Sequence, residues 1–92
     1  MTRIQIEQLI WDDVNREHIE KHTVTKEEVQ EAIAHITAHR KGYLGRIALI
    51  GRSGKRILAV LVAPKKDKKY YVVTARDADK KERRLVYDNE KK

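Results

Sequence analysis

The chain has 92 residues and a formal net charge of +7, because 21 lysines and arginines stand against 14 aspartates and glutamates. It contains no cysteine, which excludes disulfide scaffolds and zinc sites built on thiolates. This length suits a single domain, residues 1–92, whose thin core leaves no room for a deep cleft between lobes, so we expect no large organic cofactor.

The positive charge predicts a nucleic acid as partner, and the alternative is an acidic protein surface. The apolar runs are too short to cross a membrane, and residues 1–4 lack the basic and apolar order of a secretory signal. We therefore expect no membrane partner and a cytoplasmic location.

The N-terminal half reads as a strand followed by two helices. Alternating apolar residues over Arg3–Trp11 predict a short strand or an extended arm. Asp12 or Asp13 is expected to cap a helix over Val14–His22. Thr25 then opens a second helix with a capping-box pattern, and apolar residues at helical spacing carry this helix through Ile36 towards Gly42.

The C-terminal half changes to the period of strands. Three strands are predicted, at Leu44–Gly51, Arg56–Ala63 and Tyr70–Ala75, with a basic loop over Pro64–Lys69 before the third. A last helix begins after Asp77 or Asp79 and is anchored by Leu85 and Val86, and the tail over Asn89–Lys92 is expected to fray. The predicted fold is α+β: an N-terminal strand and two helices, a three-stranded antiparallel meander and a C-terminal helix.

Three segments carry a family resemblance. They are Trp11–Val24 with Glu27–Val29, the meander with Gly51, Gly54 and Arg56, and Thr74–Ala78 with Lys81–Arg84 and Tyr87. The chain resembles the BrnT-type toxin family of bacterial type II toxin–antitoxin systems. The resemblance rests on four short motifs that follow one another in the same order: Trp-Asp, Lys-His, Thr-Ala-Arg and Glu-Arg. The resemblance implies a RelE-like ribonuclease fold, RNA cleavage that blocks translation, and a ribbon-helix-helix antitoxin that neutralises the toxin in a hetero-oligomer.

The chain departs from the better-known members of that family at three points. The spacing from Trp11 to Lys21-His22 is one residue shorter, Asn15 stands where those members usually carry lysine, and His18 is typical of a divergent branch. Transfer of the fold is therefore safer than transfer of the activity.

Cleaving RNA without a metal requires a base for the 2′-hydroxyl, a cation for the phosphorane and an acid for the leaving oxygen. Arg76 is the first candidate for the phosphate, and its alternative role is an ion pair with Glu82. Arg46 and Arg56 lie on neighbouring predicted strands and could face the same side as Arg76. The alternative for both is an ordinary exposed strand position, which we favour for Arg56 and not for Arg46.

His22 is the candidate general base or acid, because histidine titrates near neutral pH. The alternative is a histidine at a helix C-terminus that packs on Trp11. Lys81 and Tyr87 are the other residues that could handle protons. The candidates for RNA binding are Lys21, Arg56, Lys80, Arg83 and Arg84.

Two pairs of histidines, His18 with His22 and His35 with His39, have the spacing of one helix face but no evident third ligand, so we expect no metal. The leading hypothesis is a ribonuclease toxin that needs no cofactor. The alternative is a non-catalytic basic module that binds a protein partner or nucleic acid, and a metal-binding regulator would rest on the histidines alone.

Overall fold

The structure is a computed structural model that describes residues 4–91, so the predictions for Arg3 and Lys92 lie outside the described residues. Within residues 4–91, three α-helices and five strands follow one another: β1 (Gln8–Ile10), α1 (Asp13–Lys21), α2 (Lys26–Ala34), β2 (Ile36–Lys41), β3 (Ile47–Ser53), β4 (Arg56–Pro64), β5 (Lys69–Asp77) and α3 (Lys80–Glu90).

The strands form one sheet in the order β1-β5-β4-β3-β2. Strands β2 to β5 make an antiparallel meander, and β1 pairs in parallel with β5 at the far edge. The α+β class is confirmed. The meander has four strands rather than the predicted three, because residues 36–41 leave the second helix and pair with β3.

Each helix begins where the capping residues place it. Asp12, Thr25 and Asp79 are the N-caps of α1, α2 and α3, and each side chain accepts a hydrogen bond from the backbone N–H three residues on. Asn89 and Glu90 belong to α3 rather than to the expected frayed tail, and the Asn89 side chain donates to the carbonyl oxygen of Thr37 at 3.1 Å.

The helices cover both faces of the sheet. On the first face, α1 and α2 bury Ile19, Val29 and Ala32 against a core from β3, β4 and β5. On the second face, α3 buries Val86 against Ile50, Ile57 and Ala59. Leu85, predicted as a second anchor, is 37% exposed. Among residues 4–91 no helix is long and apolar enough to cross a membrane.

Candidate nucleic-acid interface

Two arginines converge on one buried carboxylate above the second face of the sheet. Arg76 of β5 donates to both carboxylate oxygens of Glu82, at 2.7 and 3.2 Å. Arg40 lies on β2, the edge strand on the far side of β4 and β3 from β5. Its Nη1 atom is 3.6 Å from the same carboxylate. The side chain of Glu82 is only 2% exposed, whereas those of Arg76 and Arg40 are 35% and 45% exposed.

Local structure fixes this Arg40–Glu82–Arg76 cluster. Ala48 and Ala59 lie on the strands between the two arginines and leave room for the long side chains. Glu82 also accepts from the backbone N–H of Asp79 at 2.8 Å, as the reciprocal partner of the helix cap. The cap hydrogen bond from the Glu82 backbone, with the charges of Arg40 and Arg76, lowers the pKa of Asp79.

The ion pair of Arg76 with Glu82, which we expected as its structural role, is therefore present. This ion pair leaves one N–H group of the guanidinium available, because Nε of Arg76 donates no hydrogen bond to any residue within 4–91. A carboxylate that orients an arginine while one edge stays exposed is a common arrangement at phosphate sites.

Part of the second face beside the cluster remains open to solvent. Its floor consists of Leu61, Ala63, Thr74 and Tyr71, which are all partly exposed. The Tyr71 hydroxyl donates to the Asp12 carboxylate at 2.9 Å, and this bond raises the pKa of Tyr71. We call this surface, together with Arg40 and Arg76, the open half of the second face.

The outer surface of α3 is basic. Four exposed cations and one exposed tyrosine of α3 line a shallow groove on this surface: Lys80, Lys81, Arg83, Arg84 and Tyr87. Arg52 lies 6.0 Å from the centre of the Tyr87 ring and forms an ion pair with Glu90. The predicted RNA-binding residues of the last helix are thus all accessible.

Arg56 has a different surrounding from the one we predicted. It lies on the first face, opposite Arg76, because it is adjacent in β4 to Ile57 of the second face. Its guanidinium donates to Asp77 at 2.7 Å, to Glu28 at 3.1 Å and to the carbonyl oxygens of His22 and Thr23. Neither the exposed strand position nor the shared side with Arg76 is correct, and Arg56 serves as a structural crosslink.

The other predicted residues do not gather around Arg76. His22 is the C-cap of α1, and Lys21 precedes it, both exposed beside the first face. Arg46 precedes β3 at the opposite end of the sheet from Arg56, where it lines a groove with His39 and Lys41. Of the five predicted catalytic residues, Arg76 lies on the second face, and Lys81 and Tyr87 belong to the helix that covers it.

The histidine pairs do not form a metal site. His35 caps the C-terminus of α2 and His39 lies in β2, so the predicted common helix face does not exist for this pair. Within residues 4–91 no group of three or more His, Asp or Glu side chains is placed to hold a metal ion.

Sequence reasoning missed Arg40 and Asn15. Arg40 was not predicted as a site residue, because the sequence pattern over residues 36–41 indicated the end of a helix. Asn15 is fully buried: its amide donates to the carbonyl oxygen of Ile10 at 2.8 Å, and its side-chain oxygen accepts from the backbone N–H of Asp12. A capping box with asparagine at the third helical position was the signal available for it.

We compared the chain with models of protein families, with curated proteins and with solved structures, and none of the three comparisons gives a significant match.

Proposed function

We propose that this chain is a metal-independent endoribonuclease that acts as the toxin of a type II toxin–antitoxin pair. The observation that carries the proposal is the Arg40–Glu82–Arg76 cluster, in which a buried carboxylate holds two arginines at an exposed sheet face. Fixed guanidinium groups at an exposed surface suit the phosphate of an RNA backbone, because they bind its oxygens and stabilise charge that develops there.

In the proposed site, Arg76 and Arg40 bind the scissile phosphate on the open half of the second face. The cations of α3 attract the flanking backbone. Lys81 and Tyr87 of α3 are the proposed proton carriers, and Tyr71 with Asp12 is a further titratable pair on this face. His22 lies beside the opposite face, so we assign it no part in the chemistry.

The test measures cleavage of RNA by the purified chain in the presence of a metal chelator, together with growth on expression. We expect cleavage by the wild type and a loss of about 100-fold in Arg40→Gln, the order found when one transition-state donor is removed. Arg16→Gln is the matched control, because Arg16 is an exposed arginine of α1 with no ion pair among the described residues.

Arg76 needs a paired substitution, since its loss alone leaves the buried Glu82 poorly compensated. The double variant Arg76→Gln with Glu82→Gln removes both charges, and we expect it to be inactive but folded by circular dichroism. A wild-type chain that leaves RNA intact and growth unaffected refutes the toxin proposal.

An antitoxin of the ribbon-helix-helix type is the protein partner that the family resemblance suggests for the proposed toxin. Co-expression with the product of a neighbouring short reading frame tests this part separately. Rescue of growth together with co-purification of the two chains supports it, and independent migration of the two chains on gel filtration contradicts it.

A non-catalytic basic module is the second candidate. It is favoured by the position of His22, because the group most suited to proton transfer near neutral pH lies beside the opposite face from Arg76. RNA that is shifted on a gel but never cut, with growth unaffected, identifies this alternative.

A further inference from the structure

The loop between β2 and β3 carries the most exposed large apolar side chains among the described residues. Tyr43 is 83% exposed and Leu44 is 74% exposed, more than any other large apolar residue in 4–91. We call residues Gly42–Arg46 the tip loop. Its position at a hairpin end leaves both side chains without a place in the core.

Two backbone hydrogen bonds close the tip loop. The backbone N–H of Gly42 donates to the carbonyl oxygen of Arg46 at 2.7 Å, and that of Arg46 donates to Tyr43 at 3.2 Å. Leu44 has a φ of 58° and a ψ of 40°, a left-handed conformation that leucine rarely adopts. A loop whose backbone is closed by hydrogen bonds loses less entropy on binding than an open one, and this loop leaves the Tyr43 ring exposed.

The charge around the tip loop is positive. Residues 32–66 form a run of 35 positions with no aspartate or glutamate. Because β4 and β5 are antiparallel, the lysine loop between them lies at the same end of the sheet as the tip loop. That end, which we call the basic end, has two acids, Asp67 and Glu7, whose backbone N–H donates to the carbonyl oxygen of Lys68. Against them it presents six cations from residues 41–46 and 65–69: Lys41, Arg46, Lys65, Lys66, Lys68 and Lys69.

The open half of the second face leads to this basic end. Arg40, which reaches Glu82, directly precedes Lys41, and the two side chains point to opposite faces of β2. Tyr43 is three residues beyond Arg40, which corresponds to about 10 Å along an extended chain. A nucleic-acid strand bound at Arg40 and Arg76 would therefore pass the tip loop as it leaves the sheet.

We propose that Tyr43 is a stacking platform for one unpaired base of a single-stranded RNA, with Lys41 and Arg46 on its backbone phosphates. This inference rests on the proposed function, because it places the same RNA. An aromatic ring beside cations suits single strands, since every base offers a face for stacking whatever its sequence. A membrane surface is the weaker alternative, because one tyrosine and one leucine supply little apolar area for insertion.

The experiment titrates the full chain into two fluorescein-labelled probes of equal length, a single-stranded RNA and the same backbone with abasic sites, and follows anisotropy. Both probes carry 2′-O-methyl groups, because the proposed cleavage needs a free 2′-hydroxyl and would otherwise destroy them. For Tyr43→Ala we expect a loss of about 5- to 150-fold in affinity for the RNA, the size of one base–aromatic stack. Affinity for the abasic probe should stay unchanged, because no phosphate contact is removed. Tyr43→Phe should bind both probes as the wild type does.

Val14→Ala is the matched control, because Val14 is an exposed apolar residue, 57% accessible, that lies on α1 and outside the tip loop. Equal RNA affinity of Tyr43→Ala and the wild type overturns the stacking role but leaves the proposed function standing. Loss of affinity for both probes also overturns it, since that result indicates electrostatics or misfolding. Failure of the folded wild type to bind RNA at all refutes the proposed function itself. Sedimentation with phosphatidylserine vesicles that depends on Tyr43, without RNA binding, assigns the tip loop to a membrane instead.

Discussion

Arg56 connects three parts of the chain through one guanidinium. It joins the turn after α1, the first turn of α2 and the end of β5, through His22, Glu28 and Asp77. The main cause of the lowered pKa of Asp77 is a hydrogen bond from Arg56. The pKa of Glu28 is also lowered, and there the main cause is the cap hydrogen bond with the Thr25 backbone. This residue holds the first face together.

The substitution Arg56→Gln should lower the free energy of unfolding by about 2 kcal/mol at pH 7, because it removes charge-assisted hydrogen bonds from a mostly buried side chain. The same substitution should make the free energy of unfolding depend less on pH in the acidic range. Both carboxylates have folded pKa values below their ordinary values of 3.8 and 4.5, so their contribution is present above pH 4.5 and is lost as the pH falls through and below 3.8.

Urea unfolding at pH 7, 5, 4 and 3 measures both effects. Lys55→Gln is the control, because Lys55 is the exposed neighbour of Arg56 and makes no ion pair among residues 4–91. An unchanged stability of Arg56→Gln at pH 7 would show that water replaces these contacts without loss.

At this scale the sequence allowed some residues to be predicted and not others. The caps and the pair of Arg76 with Glu82 are local in sequence, so spacing was enough to identify them. The partners of Arg56 lie 21 to 34 residues away, and only the docking of α1 and α2 on the sheet brings them together. The convergence of Arg40 on Glu82 is equally non-local.

The boundary between α2 and β2 is the element that sequence periodicity misplaced. Ile36 continues the helical spacing of Val29, Ala32 and Ile33, and no proline or glycine interrupts the run before Gly42. The helix ends at Ala34 without a glycine stop, and the chain then gains backbone pairing with β3. Tertiary pairing thus overrides a local pattern, which a propensity argument cannot foresee.

Gly51 allows this boundary to form. A Cβ atom at Gly51 would lie 2.1 Å from the carbonyl oxygen of Ala32 and 2.8 Å from that of His35, so the end of α2 rests directly on the backbone of β3. We expect Gly51→Ala to destabilise the chain by about 3 kcal/mol, because backbone rather than a flexible side chain must move.

Thermal unfolding of Gly51→Ala beside Ser53→Ala tests this expectation. Ser53 is a partly exposed residue of the same strand, and its loss of a hydroxyl should change stability by less than about 0.5 kcal/mol. Equal melting temperatures for the two variants would mean that α2 shifts without cost, contrary to the close contact described.

At the scale of the whole molecule, composition predicted a single basic domain and the periodicity of apolar residues predicted an α+β fold; the α+β class is confirmed. Strands β3 to β5 and the C-terminal helix were predictable because their segments are separated by clear turns, whereas β2, the other strand of the meander, was predicted as helix. The parallel pairing of β1 with β5 was not, since nothing in residues 8–10 specifies a partner near residue 70. The distribution of cations over two faces and one end likewise required the sheet order.

The net charge predicts that the affinity of the chain for RNA depends measurably on salt concentration. If about five phosphates are contacted, the logarithm of the RNA association constant should fall with the logarithm of salt concentration with a slope of about −3.5. Arg40→Gln should reduce this slope by about 0.7, whereas Tyr43→Ala should lower affinity with the slope unchanged. Anisotropy titrations between 50 and 300 mM salt, roughly the range in which this linear relation is applied, measure both, and a slope near zero would contradict a phosphate-binding surface.

The pairing of β1 with β5 also has a consequence for how the chain is made. Gln8 lies opposite Lys69, 61 positions later, so the first strand emerges from the ribosome long before its partner exists. Until then Leu9 and Trp11 have no sheet edge to pack on. Closing a loop of this length costs more entropy than closing a short hairpin, so we expect this pairing to form slowly. The sheet is therefore completed only once β5 has been made, and any fragment that stops before β5 leaves the N-terminal apolar residues exposed to aggregation and proteolysis.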